Sequence, residues 1–145
     1  MDMQEIIIKK RDGRIEPLTP SKLNQWGQWA TETLGDSVDW PSVVLDTVSV
    51  LSGTVSTREL QQQLIKTCLD MDTWSYNRMA GRLYVTLIRK DLFGSSYKLP
   101  TVQELQQKLQ KLGYMEPLDY SDEDYQQIES FIKHERDFGY AHYQL

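Results

Sequence analysis

Ile6-Ile7-Ile8-Lys9-Lys10-Arg11-Asp12-Gly13-Arg14-Ile15-Glu16-Pro17-Leu18-Thr19-Pro20-Ser21-Lys22 is the stretch whose reading decides the fold. Its β-branched run favours extended backbone, because branched side chains pack well on a pleated surface. Arg11-Asp12-Gly13-Arg14 reads as a turn of the Asp-Gly kind, and Ile15 to Leu18 returns as a second strand, giving a β-hairpin. Thr19-Pro20-Ser21 then opens a helix, with Thr19 as cap and Pro20 at the first helical position, where its missing N–H costs nothing. Lys9, Lys10, Arg11 and Arg14 crowd the hairpin tip. Two readings of that patch stand side by side: a solvated strand end, or a seat for a small anion.

Outward from the hairpin, the pattern is helical. Leu23, Trp26, Trp29, Ala30 and Leu34 form one stripe, closed by Gly35. Pro41 opens a second helix carrying Val44, Leu45, Val48 and Leu51, which ends at Ser52-Gly53. Ser56-Thr57-Arg58-Glu59 fits a capping box and leads into Leu60, Leu64, Cys68 and Leu69. Tyr76, Met79, Ala80, Leu83, Leu87 and Ile88 mark a fourth helix, finished by Arg89-Lys90, cations suited to a helix C-terminus. The pattern breaks at Phe93-Gly94-Ser95-Ser96, so a boundary is expected there, between a unit at 1–94 and a helical segment at 95–145. Val102, Leu105, Leu109 and Leu112 mark a fifth helix. Ser121-Asp122-Glu123-Asp124 caps a sixth, with Ile128, Phe131 and Ile132 on its apolar side. The stretch from His134 to Leu145 is aromatic and has no terminating residue; Tyr140, Tyr143 and Leu145 read as residues awaiting a surface to pack against. The fold class is therefore mainly α, a helical bundle with a small β-hairpin.

Composition narrows the function. The chain has 145 residues and a net charge of −5, which disfavours broad nucleic-acid binding, since that needs a basic face. No apolar run has the roughly 18 residues a membrane helix requires, and the opening residues do not form a secretory leader, so a cytoplasmic protein is expected. A single cysteine, Cys68, lies on an apolar helical stripe. It reads as a small buried hydrophobe, unable to form an internal disulfide or a Cys-rich zinc site. His134 and His142 have no HExxH spacing and read as structural or surface groups. There is no GxGxxG, GxxxxGK[ST] or GxSxG, and the carboxylates follow solvated helix faces, so neither a catalytic residue nor a metal-ligating set is expected.

What remains is anion binding. At the hairpin tip, Lys10, Arg11 and Gly13 let cations and backbone amides approach an anion together. The helix starts at Thr19-Pro20 and Thr57 add free N–H groups, and Lys90 adds charge from the fourth helix. Together these describe a triphosphate pocket between a hairpin and a helical bundle.

These residues carry a resemblance. Ile8 to Arg14, Glu16 and Ser21-Lys22-Leu23, followed by Thr57-Arg58-Glu59-Leu60, Met79-Ala80-Gly81-Arg82-Leu83 and Leu87-Ile88-Arg89-Lys90, resemble an ATP-cone domain in order and spacing. Phe131-Ile132-Lys133-His134-Glu135-Arg136-Asp137-Phe138 and Tyr140 look like the segment that follows the cone in the large subunit of class I ribonucleotide reductase. The likeness thus spans essentially the whole chain. A second host of ATP cones, a transcriptional repressor, carries a four-cysteine zinc ribbon before the cone, and this chain lacks it.

The resemblance implies a four-helix bundle covered by a small hairpin or three-stranded sheet, followed by further helices. It implies ATP or dATP as allosteric effector, with magnesium and without a redox cofactor. By position, Lys10 and Arg11 would face the phosphates. Glu16, Pro17, Leu18, Thr19, Pro20, Ser21 and Lys22 would wrap the nucleotide, with Glu16 near the adenine and Lys22 near phosphate. Thr57 and Gln61 would lie near the sugar and Lys90 near phosphate. Thr57 also has a simpler reading as a helix cap, and Lys90 as a C-terminal helix cation; Trp26 and Trp29 read as core. Gln61 departs from the histidine or acidic residue usual in relatives, which bears on ATP/dATP discrimination.

The family's radical cysteine, redox cysteines and barrel would all fall beyond Leu145, so the resemblance implies an isolated domain, a truncated product or one piece of a split gene. Its implied partners are the remainder of the large subunit, the radical-generating small subunit and further copies of itself. A different function stays open: a degenerate cone, insensitive to nucleotide, that serves as a protein-interaction module through the helices from Thr101 to Leu145.

Overall fold

The computed structural model describes residues 6–94 and 98–141. β1 (Ile7–Lys9) and β2 (Ile15–Pro17) form the expected antiparallel hairpin, with Ile8 opposite Glu16. The turn differs in register from the Asp-Gly expectation. Gly13 N–H donates to Lys10 O at 3.0 Å, so Arg11 and Asp12 are the central pair. Gly13 follows them with φ +88°, a conformation glycine adopts without a Cβ penalty. Asp12 locks the tip by accepting from Arg14 N at 3.1 Å and Arg14 Nε at 2.6 Å.

α1 (Pro20–Thr31) begins as expected at Thr19-Pro20, although the Thr19 side chain makes no cap hydrogen bond. It stops one turn before Gly35, because Thr33 enters the left-handed region at φ +69°. Arg82 holds that break. Its guanidinium donates to Ala30 O at 3.2 Å, to Glu32 O, and to Thr33 Oγ1 at 2.9 Å, satisfying carbonyls that the helix end leaves free. Leu34 is nonetheless buried and belongs to the core. Arg82→Ala is expected to cost about 2 kcal/mol, since three charged hydrogen bonds at the helix end are lost. The check is the denaturation midpoint; Arg82→Lys should restore only part of the loss, because one ammonium nitrogen cannot span acceptors that the two guanidinium Nη atoms reach separately.

Asp39 caps α2 (Trp40–Val50) through Ser42 N–H. β3 (Thr54–Ser56) then joins β1 in parallel, giving sheet order β2-β1-β3. The capping box at Ser56 and Glu59 is present as read and starts α3 (Thr57–Asp70). α4 (Trp74–Phe93) runs past Lys90 to a left-handed Gly94, φ +73°. The expected boundary at 94/95 falls at that helix end; Ser95 and Ser96 lie outside the described residues.

The core sits between the inner face of the sheet (Ile6, Ile8, Val55) and the four helices. They contribute Leu23 and Ala30, Trp40 and Val43, Leu60, Leu64 and Cys68, then Met79, Ala80, Leu83 and Leu87. A buried hydrogen bond of 3.0 Å from Thr47 to Thr67 links α2 to α3. Cys68 is fully buried, and burial pushes its thiol up to about 12, so it behaves as the inert hydrophobe the sequence suggested.

α5 (Val102–Lys111) and α6 (Asp122–Phe131) pair with each other; Val102 N–H donates to Glu129 at 2.9 Å and Gln103 to Asp122 at 2.7 Å. A helix not read in the sequence, α7 (Arg136–Ala141), returns onto α4. There the nearly buried Arg89 donates to His134 O at 3.3 Å and Asp137 at 3.0 Å and lies 4.6 Å over the Phe138 ring. Phe138 also meets Trp29 edge-on at 4.8 Å. The Tyr140 side chain, His142, Tyr143 and Leu145 lie outside the described residues. Among the described residues no helix is long and apolar enough to cross a membrane.

Candidate functional site

The hairpin, the start of α1 and the start of α3 converge on one point. Lys10 follows the end of β1, β2 carries Glu16 and Pro17, the connection supplies Leu18 and Thr19, α1 contributes Lys22 and Trp26, and α3 contributes Thr57. With Ile8, Leu23 and Leu60 they line a cavity of about 20 Å³. That is room for about one water. Ion pairs lie across it. Glu16 accepts from Lys10 Nζ at 3.1 Å and from Lys22 Nζ through the same oxygen. The Lys22 and Lys10 ammonium groups hold its carboxyl below the usual carboxylate range.

Beside this cluster two polar atoms are buried without a protein hydrogen-bond partner, Thr57 Oγ1 and Gln61 Oε1. Four residues apart on α3, they share one face of the helix. Such orphaned atoms cost about 1–3 kcal/mol each and are uncommon in folded proteins, so a pair on one face calls for a reason. Thr57 is not the helix cap; Ser56 takes that role, accepting from Glu59 N–H at 3.0 Å. The simpler reading of Thr57 is thereby corrected, and its hydroxyl is left unused by the fold. Gln61 is only 1% exposed, too deep to be a surface amide.

Lys90 reaches the same region from α4. Its ammonium lies 4.5 Å over the Trp26 ring, and among the described residues no carboxylate pairs with it. Burial, then the charges of Lys10 and Arg11, bring its pKa down to about 8. Trp26 is accordingly both packed against the core and exposed to the site, more than the core residue read from the sequence. Arg11 does not line the cavity. It is tied at 2.6 Å to Asp91, which also accepts from Arg58 and is held below the usual carboxylate range by both.

The structure therefore brings together Lys10, Glu16, Pro17, Leu18, Thr19, Lys22 and Thr57, with Gln61 one turn further along α3 and Lys90 beside Trp26. Pro20 and Ser21 stand apart: Pro20 lines a separate apolar hollow of about 460 Å³ between Ile6, α1 and α2, and Ser21 is exposed. That hollow has no charged lining residue and cannot orient a polyanion. Asp91 and Arg58 were missed in the sequence. Only their meeting across α3 and α4 gives them a role, and nothing local announces it.

No protein-family model matches the chain. Among curated proteins, the chain is similar to ribonucleoside-diphosphate reductase 1 subunit alpha of Salmonella typhimurium, 32% identical over 95% of this chain and 19% of that protein. It is also similar to the subunit of the same name from Escherichia coli, 30% identical over 95% of this chain and 19% of that protein. The ribonucleoside-diphosphate reductase subunit alpha of Helicobacter pylori is 35% identical over 55% of this chain and 10% of that protein. The chain spans about a fifth of the length of the first two relatives.

Proposed function

We propose, on the premise that this chain is homologous to a stretch of the large subunit of ribonucleoside-diphosphate reductase, that it binds an adenine nucleotide, ATP or dATP with magnesium, as a regulator of nucleotide reduction. The observation that carries the proposal is the meeting of Lys10, Lys22 and Thr57 on one cavity, with Lys90 beside it over Trp26 and Gln61 one turn further along α3, Thr57 and Gln61 each keeping a buried polar atom unmatched. Three ammonium groups from three elements suit a polyphosphate, whose charge is spread over several oxygens. Thr57 and Gln61 offer a hydroxyl and an amide to sugar hydroxyls. Glu16, once released from the lysines, has an acceptor for the adenine amino group. Arg11 supports the hairpin tip and reaches phosphate only by leaving Asp91.

Regulation follows if the nucleotide binds two states of the larger assembly unequally; the states proposed are oligomers of the large subunit with its small subunit. Calorimetric titration with ATP and dATP in magnesium is the direct test. Saturable binding of either below millimolar concentration is expected. A folded chain that takes up neither at millimolar nucleotide sinks the reading.

A second reading, a docking module, is favoured by one observation. α5 buries no residue, and Leu105, Leu109, Leu112, Phe131 and Ile132 leave much of an apolar face open. The proposed occupant is the remainder of the reductase large subunit. Co-purification with that subunit lacking its own corresponding region, unchanged by nucleotide, is the expected result under this reading alone.

A further inference from the structure

The Lys10–Glu16–Lys22 cluster is itself an occupied anion site. A carboxylate bridging two ammonium groups over a 20 Å³ cavity stands where an external anion would have to sit. We propose that Glu16 is an internal competitor for the site, a built-in anion that a ligand must displace, and that the cost of displacing it leaves only anions long enough to gain Lys90 with useful affinity. The inference rests on the nucleotide-binding reading above and adds a selection rule to it.

The argument is one of charge and reach. A monophosphate that displaces Glu16 exchanges one anion for another between the same two lysines and gains little. Glu16 lies 3.1 Å from Lys10 and is also held by Lys22, but it leaves Lys90 without an anionic partner among the described residues. Lys90 is close enough to Lys10 for their charges to repel. A chain of phosphates can replace the carboxylate between Lys10 and Lys22 and, in the same molecule, extend to Lys90. Only the longer anion gains a new partner in return for the one it breaks. The clamp thus works against every anion equally, while the reward grows with phosphate number, and short phosphates are left below useful affinity.

Glu16 is well suited to this role. It sits on β2, opposite Ile8 in the hairpin register, so its backbone stays in place when its side chain leaves. Its pairs are on the surface side of the cavity, where ion pairs are weak enough to be broken by a better ligand.

The test uses Glu16→Gln, which keeps shape and an acceptor but removes the charge, and inorganic tripolyphosphate, pyrophosphate and phosphate as probes, so that no base contact intervenes. Asp12→Asn, an equal charge change at the hairpin tip, is the control for net charge. At about 0.15 M salt, Glu16→Gln should tighten tripolyphosphate and pyrophosphate binding alike, by about fivefold, bringing the shorter anion into the measurable range, while Asp12→Asn changes either by less than about twofold. Binding by Glu16→Gln where the unsubstituted chain shows none supports the competitor more strongly still. If the unsubstituted chain binds tripolyphosphate and Glu16→Gln binds it equally or more weakly, the competitor is overturned and the nucleotide-binding reading stands. If neither protein binds any probe or ATP, both fall together.

Discussion

Lys90→Met is expected to weaken ATP binding about a hundredfold and at the same time to raise the melting temperature by one to a few degrees. The first effect follows from removing a charged, half-buried donor from a polyphosphate, a loss of about 2–3 kcal/mol. The second follows from the environment of the ammonium. It is half-buried over Trp26 without a carboxylate, and its pKa falls to about 8 from an ordinary 10.5. The folded protein therefore holds that proton less tightly than the unfolded chain does. The penalty is fully present below about pH 8 and is relieved as pH rises from 8 towards 10.5. Methionine keeps the contact with the indole and carries no charge, so its advantage should be measurable at pH 7 and gone near pH 10.5. Ligand binding has the opposite dependence. ATP affinity of the unsubstituted protein should decline as pH rises through 8, as Lys90 becomes neutral, and Lys90→Met should lack that decline. Calorimetry at pH 7 and 9 with thermal melts across the same range reads both effects. A variant that binds ATP normally removes Lys90 from the site.

Gly27→Ala should destabilise the bundle. A Cβ on Gly27 would lie 2.2 Å from Trp40 Nε1 and 2.3 Å from its Cδ1. Trp40 is only 7% exposed and opens α2, followed at once by Pro41, so the ring cannot retreat without moving the helix. Alanine is otherwise better than glycine in a helix by about 1 kcal/mol. Overpacking of this kind costs about 1–3 kcal/mol, and here the obstruction is a large rigid ring, so a net loss of about 2 kcal/mol is expected. Urea denaturation checks it. A midpoint equal to or above that of the parent would mean that the α1–α2 seam is looser than its burial indicates.

Much of this architecture was legible from local rules. The capping box at Ser56, the acidic cap at Ser121 and the Pro20 start each depend on residues a few positions apart, and each is present in the structure. The stripe read for α2 is corrected: Leu45 is exposed, and Trp40, Val43 and Thr47 form the buried face instead. What was not legible depends on partners distant in sequence. α1 ends early because Arg82, some fifty positions away, gathers its last carbonyls. α7 exists as a packed element because Arg89 and Trp29 receive Phe138. The site divides in the same way. The cations at the hairpin tip announced an anion, but Glu16 as their present partner, Asp91 as the anchor of Arg11, and the idle hydroxyl of Thr57 emerge only when three elements meet.

Arg89, Lys90 and Asp91 follow one another on the last turns of α4, and each grips a different part of the protein. Arg89 holds α7, Lys90 lies over Trp26 of α1, and Asp91 ties the hairpin tip to the start of α3. Successive residues on a helix point about 100° apart and are joined by backbone that does not stretch. A rotation of that turn by any one grip is therefore imposed on the other two. The end of α4 is a hub with three spokes, and the hairpin, the first helix and the last described helix share it as a common pivot.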